Sequence, residues 1–314
     1  MKGRLSAKVR WGLWVALAVA IGIGLAMLLE RREPLENRVL ESAPSDASVV
    51  LYTELAPLRK SDTLGRLVRQ RLSAASGLAM VEPDVDALAL AVGTDEIVGL
   101  AAGRFPLSLV RRYLEQNGAA CPAALDERAC ALPAVHSGNL VSIRALDSGL
   151  LGVTAGPRPD GADRLAAAAT FGPELAARAR AALDGGALVW IWIEPRRLAD
   201  TMSDPPEGWI NLSLIARALL SAQDASLSLR DGANATVDAT LEAQCNSSAD
   251  AEELAKMLES LNGLGRTALR SSRSESSQAW AQALETGFSV RNEGEKAIAR
   301  WQLPESLLEK TMAP

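Results

Sequence analysis

The chain has 314 residues, 48% of them hydrophobic and 23% charged, which excludes a disordered polar chain and leaves enough apolar material for a proper core. Its formal charge of −5 gives no basic footprint, so nucleic acid is excluded as the main partner. Arginine far outnumbers lysine and alanine is abundant, a bias that points to a bacterial source.

The first predicted element is a transmembrane helix. Residues 11–29 read WGLWVALAVAIGIGLAMLL without a charge, and at about 1.5 Å rise per residue such a stretch matches a hydrocarbon core of roughly 30 Å. Trp11 and Trp14 sit at its leading edge, Arg10 precedes it, and Glu30, Arg31, Arg32 and Glu33 close it. A cleaved signal peptide would need a small-x-small site before the mature chain, and residues 25–29 offer none. Lys2, Arg4, Lys8 and Arg10 outweigh the basic residues soon after the span, which places residues 1–10 in the cytoplasm and everything beyond residue 29 outside it. The expected location is a bacterial inner membrane, single-pass, with a periplasmic domain. Gly12, Ala16, Ala20 and Gly24 form a small-residue stripe that would let another helix approach, although an alanine-rich span produces such stripes by chance as well.

Residues 30–45 are polar, carry Pro34 and Pro44, and read as a stalk with the domain starting near Ser45. From there β-branched and aromatic runs alternate with helical spacing. Ala47 to Leu55 is a strand, Ser61 to Leu72 a helix, and Val85–Val92 with Ile97–Phe105 a hairpin. Pro106 to Asn117 is a helix stopped by Asn117-Gly118, and a second hairpin turns at Asp147-Ser148-Gly149. The second half runs in the same order. ALVWIWIEP echoes SVVLYTELAP about 140 residues earlier, Asp231-Gly232 turns a hairpin, residues 248–263 form a helix that closes in MLESLNG, and a last hairpin turns at residues 292–294. The fold class is therefore α+β, with two tandem β-α-β-β-α-β-β repeats at 46–172 and 173–314, mostly antiparallel sheets, and helices on one face. The VWIWI strand, apolar on both faces, is expected at the centre.

Candidate sites are few. Cys121 and Cys130 flank a short loop that a disulfide would close in an oxidising compartment, and Cys245 ends a strand where it is expected to lie in the core. Trp209, after SDPPEG, is a candidate partner contact or a lid residue. Glu54 and Glu194 hold matching positions before Pro57 and Pro195, which fits a helix-start role better than a carboxylate pair. His136, the single histidine, neighbours Ser137 on an extended segment where the two side chains would diverge. Glu82, Asp84, Asp86, Asp95 and Glu96 lack the calcium-loop pattern and read as a solvated edge. These residues predict no catalytic set, cofactor or metal. The expected function is a non-enzymatic binding or scaffold role with a protein partner in the envelope. The alternatives are a membrane-tethered carrier of lipid or a small apolar ligand, and a hydrolase of unknown substrate.

Overall fold

Burial alternates with period two along the strands, and they join in a single sheet. The computed structural model describes residues 35–67, 85–93, 96–133, 140–157, 160–165, 169–171, 173–201, 217–272 and 274–312. The predicted span at 11–29, with Gly12, Ala16, Ala20 and Gly24, lies outside them. Among the described residues no helix is long and apolar enough to cross a membrane.

The strands are β1 (Val49–Glu54), β2 (Val85–Val92), β3 (Ile97–Gly103), β4 (Cys130–Pro133), β5 (Leu140–Asp147), β6 (Leu150–Gly156), β7 (Val189–Ile193), β8 (Ala222–Asp231), β9 (Thr236–Cys245), β10 (Phe288–Glu293) and β11 (Lys296–Pro304). They join in one eleven-stranded sheet of order β10-β11-β9-β8-β7-β1-β2-β3-β6-β5-β4. Every pairing is antiparallel. The seam between the halves is β1 against β7, with Val50 opposite Trp192 and Tyr52 opposite Trp190. Thus the halves do not carry separate sheets. The edge that each half would otherwise leave unpaired is closed by the other.

The helices are α1 (Leu35–Glu41), α2 (Leu55–Lys60), α3 (Leu107–Gln116), α4 (Gly161–Leu165), α5 (Pro173–Asp184), α6 (Pro195–Thr201), α7 (Ser248–Ser271), α8 (Glu275–Thr286) and α9 (Glu305–Met312). They cover both faces, contrary to the one-sided layout expected, because the apolar positions change side along the sheet. On the front face, Val50, Tyr52, Ala87, Ala89, Ala91, Val98, Leu100 and Trp190 form one core with Val39 and Leu40 of α1 and Leu175 and Ala179 of α5. Alanine at 87, 89 and 91 makes a shallow floor on which α1 can lie close. Beyond β7 the apolar residues point to the back: Ala225, Leu241, Ala243, Ala297 and Ala299 meet Ala251, Leu254, Ala255 and Leu258, a helical stripe of α7. Helix cover follows the apolar face, as burial requires.

Several boundaries move. Val39, Leu40 and Ala43 are buried, so the segment read as a stalk from 30 to 45 enters the core well before Ser45. Helix α7 starts as a capped helix, with Ser247 Oγ accepting from the Asp250 amide at 3.1 Å, but runs past Asn262-Gly263 to Ser271. The stop fails because α8 packs alongside and Asn262 Nδ2 donates to the Leu284 carbonyl at 3.1 Å, so the side chain serves the helix pair instead of a turn. Neither α8 nor α9 is among the elements expected from the sequence. By contrast α3 ends at Gly118, φ +86, with Ala119 N–H reaching the Leu114 carbonyl and Gly118 N–H the Glu115 carbonyl, a left-handed stop that glycine makes at no steric cost.

Candidate functional site

The front face of the second half is polar and open. Residues pointing the same way along a strand recur every second position, so β8 presents Asp224, Ser226, Ser228 and Arg230. Across the ladder these meet Gln244, Glu242, Thr240 and Asp238 of β9, which in turn face Lys296, Ile298, Arg300 and Gln302 of β11. Helix α5 walls one side with Arg178, Ala181 and Ala182, and Trp190 and Trp192 back the inner end, 2% and 8% exposed. The trough so formed has a volume of about 580 Å³.

Its charges are unevenly matched. Arg178 Nη1 bonds Asp224 Oδ2 at 2.8 Å. Arg230, Lys296 and Arg300 have no ion pair within 4 Å among the described residues, and neither has Glu242. Four cations therefore line the trough with two acids. Asp238, beside Arg230 in the ladder, keeps Oδ1 buried without a hydrogen bond. Two other surface cavities hold charges that are already committed. In one, Arg66 Nε donates to Glu305 Oε1 at 2.8 Å while Asp231 accepts from Ser61 Oγ and the Leu64 amide. In the other, Arg270 pairs with Glu285.

Among the described residues, those singled out by sequence do not converge on this trough. Glu194 Oε1 and Oε2 accept from the Arg196 and Arg197 amides at 3.3 and 2.6 Å, capping α6. Glu54 precedes α2 at the other end of the β1–β7 seam, six residues along the register, or about 20 Å. A carboxylate dyad is thereby ruled out. Cys121 and Cys130 are joined by a disulfide, Cα to Cα 4.3 Å. Cys245 is fully buried at the end of β9, where burial first and Asp250 second push its thiol up from the usual range; this opposes thiolate chemistry. Trp209, His136 and Ser137 lie outside the described residues, as do Glu82, Asp84 and Asp95 of the acidic edge.

The trough was nevertheless written in the sequence as alternation: SLSLR in β8, TLEAQ in β9, KAIAR in β11. Such runs read as half-buried strands. What the pattern lacks is which side stays uncovered, since that depends on where α5 and α7 land.

No family model matches the chain, and no curated protein matches it. Its architecture is that of an α+β protein built on one large antiparallel sheet. Among solved structures it is similar to crystal form I of TP0453, at 12% identity and TM-score 0.51, over 87% of this chain and 96% of that one. Crystal form IV of TP0453 gives 14% identity and TM-score 0.50 over 88% and 96%. The likeness is one of fold.

Proposed function

We propose that this chain is a membrane-anchored extracytoplasmic protein of binding or scaffold type in a bacterial cell envelope, with residues 11–29 as its single span. The observation that carries the binding reading is the open polar trough with its unmatched cations. A sheet face open to water along its length does not exclude solvent as bond-cleaving sites do, but it can receive a ligand from the side. The Cys121–Cys130 disulfide supports an oxidising compartment for the domain.

The two halves, 46–172 and 173–314, are read as copies of one unit. Supporting this, the strands follow outward from the seam as β1-β2-β3-β6-β5 on one side and β7-β8-β9-β11-β10 on the other, in the same chain order. The carrier reading has one observation in its favour: Leu90 and Ile97 on the back face are 41% and 46% exposed, an apolar surface at the middle of the sheet. The hydrolase reading draws no support from Glu54 and Glu194, which stand at opposite ends of the seam.

Two measurements test the proposal. A C-terminal alkaline phosphatase fusion is expected to be active, reporting an extracytoplasmic domain, and an inactive but expressed fusion would overturn the topology. Cross-linking in intact cells, followed by purification of the membrane-extracted full chain and mass spectrometry, is expected to return a reproducible envelope component. Reproducible absence of protein partners with co-purified lipid would favour the carrier instead.

A further inference from the structure

We propose that the trough between α5 and the front face of β8, β9 and β11 is a binding site for an acidic glycan, an oligosaccharide bearing carboxylate or phosphate groups. This rests on the binding reading and names its ligand class.

The two halves treat this face differently. In the first half the front positions of β2 and β3 are alanine, valine and leucine under α1. In the second half the positions that face the same way are Ser226, Ser228, Arg230, Thr240, Glu242 and Gln244, with Lys296 and Arg300 beyond. A solvated strand face alone needs no walled trough, whereas here Arg178, Arg230, Lys296 and Arg300 converge on one opening with a hydroxyl- and amide-bearing floor.

The layout sets the ligand's shape. With strands about 4.8 Å apart and alternate residues about 6.8 Å along each strand, Arg230 and Arg300 lie about 12 Å apart and Arg300 and Lys296 about 13 Å. From Arg230 to Lys296 the three span about 22 Å. Between them the floor offers hydroxyl and amide groups at Ser226, Ser228 and Gln244, half-buried and facing the opening. That spacing suits an extended ligand with several anionic groups separated by hydrogen-bonding ones, and Arg supplies the planar fork that carboxylate and phosphate accept. An acidic peptide fits less well. Peptides gain affinity by adding a strand to a sheet edge or by filling apolar pockets, and this floor is a sheet face whose backbone is already paired, with both tryptophans buried.

The test is isothermal titration of the full chain in zwitterionic nanodiscs with tetragalacturonate, neutral maltotetraose, tetraglutamate and inorganic phosphate. Tetragalacturonate is expected to bind at least tenfold tighter than each of the others. Arg300→Ala and Lys296→Ala should each weaken it about three- to tenfold, the Arg300→Glu, Lys296→Glu double variant should abolish it, and Arg112→Ala on α3 should leave it unchanged. Circular dichroism melts within 2 °C of the parent verify that the β11 variants fold. Equal or tighter binding of tetraglutamate would assign the trough to an acidic peptide and overturn the glycan proposal. So would binding that the double variant retains, or no binding by any probe. If titration fails while cross-linking still captures an envelope component, the ligand class is wrong and the binding role stands; if both fail, the role itself is lost.

Discussion

Glu194 shows how a conspicuous acid earns its place without chemistry. It accepts two amides at the start of α6, so Glu194→Ala is expected to cost about 1 kcal/mol, the usual value of a helix cap, and to lower the melting midpoint by about 2 °C. A loss above three times that would show a wider role. Gly161 is more demanding. A Cβ there would come within 2.3 Å of Thr154 Oγ1, and Thr154 is locked to Ser142 Oγ at 2.7 Å, which also accepts from the Ala162 amide at 2.8 Å. Gly161→Ala should therefore destabilise by about 1–3 kcal/mol, read by urea denaturation, and Thr154→Ala in the same chain should recover part of it. Cys245 adds a chemical readout. Burial raises its thiol, so a thiol reagent at pH 8 should react with it only after unfolding, and rapid labelling of the native chain would contradict its buried place.

At the scale of elements, the strands were legible and the helices partly so. Hairpins at 85–103, 140–156, 222–245 and 288–304 carry period-two alternation with Gly, Asn or Asp at the turns, and that signal is local. Helix α7 was read short because Asn-Gly stops a helix only when nothing packs beyond it, and α8 does. Its docking rests on Leu254, fully buried among alanines of three strands, so Leu254→Ala is expected to cost about 3 kcal/mol, measured by the denaturant midpoint at unchanged slope. The trough could not be read, because polar alternation says a strand has a wet side without saying that three wet sides line up. The cysteine pair illustrates the opposite case. Loop length alone allowed the bridge, and closing about 10 residues is worth about 2.5 kcal/mol on the chain-entropy account. Reduction should lower stability by that order in a denaturant series with and without dithiothreitol.

For the whole molecule the decisive feature is the seam. Because β1 and β7 each close the other's edge, a fragment of residues 173–314 would expose β7 with every backbone group on one side unpaired. It is expected to run as a dimer or larger species on size-exclusion chromatography, and a stable monomer would count against equivalence of the two halves. Element order is what motivates the proposed equivalence, whereas fusion of both halves into one sheet was not readable, since pairing across about 140 residues leaves no local trace. The placement of α1 has a different consequence. It lies on the front face, and only six Cα steps separate Leu29, the end of the proposed span, from Leu35, so the leash reaches at most about 20 Å. The sheet itself is about 48 Å wide. On the proposed topology, a body held on a tether shorter than its own width would patrol a thin layer above the bilayer, and anything fixed in that layer would be met at an effective concentration in the millimolar range. A trough in that position needs only weak affinity to stay occupied.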